Sequence, residues 1–252
     1  MSEALLQVSG LDKSFDGITA LSSFSCSVGE REVVGLIGPN GAGKTTLFNV
    51  LTGFIAPERG RAEFRGTGLL GLAPHRIANV GITRTFQNLR LIRRMSVLEN
   101  VMLSYKNQPG EGLGNVFFRR RAGNRQEAKN REAALSLLEW AGLAGKADDL
   151  ADDLSYGQQK LLSLVCCLAA GADLLLLDEP VAGIAPEMIE KILSIIRGLP
   201  QQGKSVVLIE HNLGAVMEVC ERVIFMDAGA KVSEGTPEEV RNDPRVIEAY
   251  LD

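Results

Sequence analysis

The run Glu32-Val33-Val34-Gly35-Leu36-Ile37 passes without a polar break into Gly38-Pro39-Asn40-Gly41-Ala42-Gly43-Lys44-Thr45, and a helical pattern follows from Thr45 to Thr52. Strand, glycine loop and helix in that order constrain the chain more than any other stretch. They describe a phosphate-binding loop at the carboxyl end of a buried strand. Glycines let backbone N–H groups curl around phosphate oxygens at a helix N-terminus, which favours anions. Lys44 is placed to neutralise the outer phosphates, and the Thr45 hydroxyl to hold Mg²⁺.

Further apolar runs, Leu174 to Leu177 and Val206 to Ile209, read as buried core strands. Alternation of strands with helices predicts an α/β fold with a mostly parallel sheet. Leu5 to Phe15 and Ser23 to Val28 read as short strands, the first ending at an Asp16-Gly17 turn. Pro74 to Asn79 reads as a brief helix. From about Asn88 to Lys160 strand signals fade and the spacing turns helical, so this stretch reads as a helical insert. Within it, Gln108 to Asn124 reads as a loop or arm rich in Gly and Arg. Glu127 to Trp140 reads as an amphipathic helix with Ala128, Ala134, Leu135 and Leu138 on one face. Asp227-Ala228-Gly229-Ala230 marks a hairpin, and Thr236-Pro237-Glu238-Glu239 a capping box.

The chain has 252 residues, enough for one large domain with an insert, and no internal repeat. A net charge of -4 gives no reason to expect a nucleic-acid partner. No secretory signal is visible at the start. The apolar region Leu161 to Leu177 is broken by Gly171 and Asp173, so it reads as helix, turn and strand, not a membrane span. Four cysteines lack metal-ligand spacing, and a reducing, cytoplasmic setting fits.

Leu174 to Leu177 ends at Asp178-Glu179. Asp178 would orient Mg²⁺ beside the phosphates, and Glu179 would polarise an attacking water. Two adjacent carboxylates after an apolar strand are costly without a cation. His211 follows the strand Val206 to Ile209, where it can contact a γ-phosphate or serve only structure. Gln87 stands where sheet hands over to insert, and could touch Mg²⁺ or the lytic water. Phe15 could stack on adenine or be an ordinary core residue. Leu154-Ser155-Tyr156-Gly157-Gln158-Gln159-Lys160 places a second Ser-x-Gly turn at the start of a helix. That is a second phosphate-binding surface in the same chain.

These stretches occur in the order of the Walker A, Q-loop, signature, Walker B and switch-histidine motifs. In that order the chain resembles the ATP-binding cassette superfamily over nearly its full length. The resemblance implies one cassette across residues 1–252: a P-loop NTPase core, an N-terminal antiparallel β subdomain, and an inserted α-helical subdomain at about 88–160. It implies an ATPase using ATP and Mg²⁺, with Glu179, His211 and Gln87 as the catalytic group. The implied nucleotide-binding residues are Phe15, Gly38, Pro39, Asn40, Gly41, Ala42, Gly43, Lys44, Thr45 and Thr46, with Ser155, Gly157 and Gln158 from the signature. Thr45, Gln87 and Asp178 are the implied Mg²⁺ side. Ser155 and Gly157 would reach the γ-phosphate held by a second cassette subunit, identical or different, arranged head to tail. The family usually places Asp or Asn where this chain has Ala185, a side chain that helps join the two sites; without it symmetric cross-talk is not assured, and with a different ATPase as partner the two sites could be unequal.

A finer resemblance is to the LivG-type ATPases of branched-chain amino acid importers. It rests on Gly81 to Leu91, Ser96 to Val101, the Arg-rich arm Phe118 to Arg121, the Tyr-Gly-Gln-Gln signature and the ending Val246 to Leu251. The related ATPases of urea or short-amide import and of lipopolysaccharide export share part of it. The implied partners are two transmembrane permease subunits and, indirectly, a periplasmic solute-binding protein, with the chain peripheral on the cytoplasmic face of the bacterial inner membrane. Leu89, Leu91, Ile92, Met95, Val97 and Leu98, mixed with Arg90, Arg93 and Arg94, could receive a permease helix or be insert core. Arg119 to Arg121 could meet lipid headgroups or permease, or be a solvated run. A soluble, non-transport cassette ATPase is the alternative of a different class; the chain lacks the long coiled coils, zinc modules or second cassette such proteins usually carry.

Overall fold

Three of the apolar runs, β3 (Val33–Ile37), β7 (Leu174–Asp178) and β8 (Ser205–Ile209), become the middle of a six-stranded sheet. Every residue in them is buried in the computed structural model, which describes residues 4–87, 89–106 and 120–251. A strand covered on both faces needs no polar alternation, which is why these segments read as continuous apolar stretches. With β6 (Ile82–Arg84), β9 (Arg222–Asp227) and β10 (Ala230–Gly235) the order is β10-β9-β3-β8-β7-β6. All neighbours are parallel except β9 and β10, which form a hairpin. The register aligns the strand ends: Leu36 pairs with Ile209, and Ile209 with Asp178. The loops leaving these strands therefore emerge along one carboxyl edge, the edge where open α/β sheets bind ligands.

A second, antiparallel sheet contains β1 (Leu6–Phe15), β2 (Ile18–Val28), β4 (Arg59–Phe64) and β5 (Thr67–Gly68) in the order β2-β1-β4-β5. Three hairpins turn on the same device. Asp16-Gly17, Arg65-Gly66 and Ala228-Gly229 all have positive φ, from 43 to 84°. Two consecutive left-handed residues give a turn whose twist matches that of the strands. Helices α1 (Lys44–Leu51) and α2 (Pro74–Val80) follow β3 and β5. Phe24, Phe48 and Phe64 from β2, α1 and β4 share one core with Leu36 and Leu176 of the central sheet.

The chain divides into two compact units, Met1–Gln87 with Asp173–Ala182 and Ile189–Asp252, and Asn88–Ala172 with Gly183–Met188. The second is helical, built on α3 (Val97–Leu103), α4 (Arg120–Trp140) and α5 (Tyr156–Ala169). Ser96 and Glu99 form a capping box at the start of α3. Asn100, buried in α3, ties the preceding loop to the helix: its Oδ1 accepts from the Ile92 N–H and its Nδ2 donates to the Ile92 and Ser96 carbonyls. Downstream lie α6 (Pro186–Gly198), α7 (Leu213–Val219), α8 (Pro237–Arg241) and α9 (Pro244–Leu251). The Thr236 capping box starts α8 as the sequence indicates. Among the described residues no helix is long and apolar enough to cross a membrane.

Several expectations need correction. The helix read from Glu127 begins at Arg120, so residues 120–124 of the expected loop are helical; 108–119 of that arm, and Asn88, lie outside the described residues. Of the face expected for α4, Ala134 and Leu138 are buried, joined by Asn130, whereas Ala128 is exposed and Leu135 is 38% exposed. Steps of four keep residues 130, 134 and 138 on one stripe; 135 stands at its edge beside 138, and 128 lies farther around the helix. β2 starts at Ile18, not Ser23. β6 carried no strand signal because it is three residues long and ends in arginine.

Cys26, Cys166, Cys167 and Cys220 are free thiols. Burial pushes Cys26 and Cys220 up to about 12 and Cys166 up to about 11, so they are inert at neutral pH. Leu176 lies at the centre of β7 with no exposed surface. Leu176→Ala is expected to lower unfolding free energy by about 2–5 kcal/mol, read as a shift of the urea midpoint at constant m value. A loss under about 1 kcal/mol would contradict the packing described for β7.

Candidate active site

Beyond β3 the chain curls back over its own end, and two glycines make this possible. Gly38 has φ 150°, and a Cβ there would sit 1.9 Å from the Met226 carbonyl oxygen. Gly43 has φ 99°, with the Ala20 carbonyl oxygen 2.1 Å from any Cβ. Neither position admits a side chain without moving backbone. Gly43 then caps α1, whose free N–H groups face the loop. Lys44, buried, donates from Nζ to the carbonyls of Gly38 at 2.7 Å and Pro39 at 2.9 Å. Burial lowers its pKa, opposed by the negative fields of Glu179 and Asp178.

Asn40, Gly41, Ala42, Gly43, Lys44, Thr45 and Thr46 line a cavity of about 290 Å³ together with Gln87, Glu179 and His211. Ala20 and Ile209 complete its wall. Glu179 is the pivot of the group. It has φ 48°, a left-handed conformation that a non-glycine residue holds only under constraint. Its N–H donates to the Ile209 carbonyl at 2.9 Å, which fixes the turn after β7 to the end of β8. One carboxylate oxygen is 3.2 Å from His211 Nε2; the other accepts from Gln87 Nε2 at 3.4 Å. The structure thus brings Gln87 and His211 to opposite oxygens of the Glu179 carboxylate, the first by a hydrogen bond and the second at close range, beside the phosphate loop.

Asp178 is buried and lines no part of the cavity. Gly38 and Pro39 do not line it either; their carbonyls hold Lys44. Phe15 is 41% exposed with the Lys13 ammonium 5.1 Å from its ring centroid, so it is not a core residue. Ser155, Gly157 and Gln158 belong to the helical unit and do not line the cavity. Ser155 caps α5, and Gln158 closes its capping box by accepting from the Ser155 N–H at 2.9 Å. A Cβ on Gly157 would lie 2.8 Å from Met188 Cγ, so any side chain there would displace Met188. Ala185 is exposed, and its carbonyl accepts from the Met188 N–H.

Sequence reasoning gave no role to Arg84, Thr85, Asn49 or Glu210. Arg84 forms an ion pair with Asp178, and the Thr85 hydroxyl accepts from the Asp178 N–H. Glu210 has 1% of its surface exposed; its carboxylate accepts from the N–H of Val181 at 2.9 Å and of His211 at 3.2 Å. It joins the loop after Glu179 to the turn that carries His211. A charged residue at the end of an apolar strand was the signal available for Glu210; Arg84, closing a strand of three residues, carried none.

The family model described as ABC transporter matches residues 21–182, and a second, described as branched-chain amino acid ATP-binding cassette transporter, matches residues 230–251. The chain is 40% identical to the high-affinity branched-chain amino acid transport ATP-binding protein LivG of Salmonella typhimurium, over all of this chain and 99% of that protein. It is 38% identical to the corresponding protein BraF of Pseudomonas aeruginosa, over 100% and 99%. Among solved structures it is similar to an ATP-binding cassette of an ABC transporter in its ADP conformation, at TM-score 0.86 and 32% identity over 99% of each chain. A dimeric cassette in a post-hydrolysis state, bound to ADP and phosphate, matches at TM-score 0.76 and 25% identity over 92% of this chain and 98% of that one. The chain, carrying this loop and acidic turn on this sheet, belongs to the ATP-binding cassette family of ABC transporters.

Proposed function

We propose that the chain is the ATP-binding, ATP-hydrolysing subunit of a membrane importer for branched-chain amino acids. The observation that carries the hydrolytic part is the convergence of the Lys44 loop, Gln87, Glu179 and His211 on one cavity. Lys44 and the N–H groups at the start of α1 hold the phosphates. Glu179 takes the proton from a water as its oxygen attacks the γ-phosphorus. The bond to the bridging oxygen breaks, leaving ADP and phosphate. His211 and Gln87, on either side of Glu179, orient its carboxylate and report the loss of the γ-phosphate to the turns they stand on. Phe15, exposed at the end of β1, offers a face for adenine.

Mg²⁺ fits the donor set. The Thr45 hydroxyl and the Gln87 amide oxygen, on the cavity wall, are hard oxygen ligands suited to an ion held largely by phosphates and water, and the Asp178 carboxylate, outside the lining, would act through one of those waters. Among the described residues no cluster of three or more His, Cys, Asp or Glu forms a metal cage. When bound, the ion would neutralise charge developing on the transferring phosphoryl group.

Ser155 and Gly157 are assigned to the γ-phosphate of a partner cassette in a head-to-tail dimer, and Ala185 to a junction that lacks the usual polar link. The stretch at about 88–160, within the helical unit, is assigned as the inserted subdomain, docking permease through the exposed Ile92 and its neighbours Arg93 and Arg94. Support for the solute comes from the names of the relatives and from the C-terminal match at residues 230–251. A place on the cytoplasmic face of a membrane follows from the same reading.

Glu179→Gln is expected to lower ATP turnover about a hundredfold or more while leaving ATP bound, and to trap a dimer visible by light scattering. Turnover at the wild-type rate in that variant would remove Glu179 as the base. In a complex reconstituted with its permeases and solute-binding protein, leucine, isoleucine or valine is expected to stimulate hydrolysis. Stimulation by urea alone would contradict the solute assignment.

A further inference from the structure

Arg84 is buried behind the cavity and carries a full positive charge that binding and hydrolysis of ATP leave without a role. It ends β6, three residues before Gln87. Its Nη2 donates to Asp178 Oδ2 at 2.7 Å, with the two side chains only 5% and 4% exposed. Its Nη1 donates to Asn49 Oδ1 at 2.6 Å, on the helix after the phosphate loop. The guanidinium carbon lies 5.4 Å from the Phe48 ring centroid and 5.1 Å from that of Phe86. Arg84 Nε is buried and has no hydrogen-bond acceptor. The next residue, Thr85, holds the Asp178 main chain: its hydroxyl accepts from the Asp178 N–H at 3.0 Å, and its own N–H donates to the Leu176 carbonyl at 2.9 Å.

Stability does not account for this arrangement. A buried ion pair generally contributes no more than apolar side chains of the same shape, and an orphaned donor adds a penalty. What the arrangement supplies is position. The rigid fork of the guanidinium holds two acceptors at once, Asp178 Oδ2 and Asn49 Oδ1, in a fixed relation to each other. Asp178 is gripped from β6 at Oδ2 and at its N–H, and no hydrogen bond falls on Oδ1 among the described residues.

We propose that Arg84 is a positioning residue for Asp178: it fixes the carboxylate so that Oδ1 stays available to the magnesium of bound nucleotide. Through Asn49 it also joins the helix of the phosphate loop to the segment leading to Gln87. The proposal rests on the assignment of Asp178 to the magnesium side of the site.

The test is the affinity of a fluorescent ATP analogue, measured with excess Mg²⁺ and with EDTA, for wild type, Arg84→Met and Arg84→Lys, with thermal melts alongside. In Arg84→Met the affinity in EDTA is expected to stay within about twofold of wild type, while the gain from Mg²⁺ falls about tenfold or more. Arg84→Lys is expected to restore part of that gain, since a point charge reaches Asp178 without holding Asn49 as well. A folded Arg84→Met variant with the wild-type gain overturns the proposal, as does an equal loss with and without Mg²⁺. If Arg84→Met does not fold, Arg84→Lys decides: a gain equal to wild type overturns the proposal, a reduced one supports it. A wild-type protein that binds nucleotide with no gain from Mg²⁺ instead refutes the assignment of Asp178 on which the proposal stands.

Discussion

The shared register of β3, β8 and β7 is the constraint on which the rest of the site depends. Leu36, Ile209 and Asp178 stand in one row of the sheet. The chain leaves that row as a phosphate loop, a histidine turn and an acidic turn. A slip of one residue in any of the three strands would exchange its two faces and move its turn by a strand rise of about 3.3 Å. Alternation cannot forbid that slip, because both faces of each run are apolar; the close packing of particular side chains on both faces, together with the ladder bonds, holds the register. Burial in the core therefore sets the geometry at the edge.

The turns are then tied to one another by main-chain bonds. The Glu179 N–H meets the Ile209 carbonyl, and Glu210 accepts from Val181 and His211. On the other side Thr85 and Arg84 grip Asp178 from β6. Glu179 is held in a left-handed conformation between these ties. Local strain at the one residue assigned to proton transfer, with unstrained strands around it, is how a fold stores orientation at a reacting group.

Much of this was legible in the residues. Val33 to Ile37, Leu174 to Leu177 and Val206 to Ile209 announce buried strands, because two covered faces leave no room for alternation. Gly38 to Thr45 announces its own conformation, since only glycine tolerates the approach of the Met226 and Ala20 carbonyls. Asp16-Gly17 and Thr236 mark a turn and a cap through local chemistry. Other parts depend on contacts distant in sequence. β6 is three residues long, and pairing with β7 makes it a strand. The buried stripe of α4 needed knowledge of which face meets α3 and α5. Arg84 and Asp178 lie far apart in the chain, so neither residue signals the other. Gln158 fits a signature motif, yet its side chain serves the capping box of α5, a role that Ser-x-x-Gln spacing also indicates.

In the proposed function the loop after β3 holds the phosphates of ATP, with Lys44 as their counter-charge. Calorimetric titration of magnesium ATP into the Glu179→Gln protein, with and without Lys44→Ala, tests it most directly. One nucleotide per chain is the predicted stoichiometry, with affinity about ten- to a hundredfold weaker once Lys44 is removed. Binding of equal strength without Lys44, or no binding at all to the parent protein, would contradict that claim.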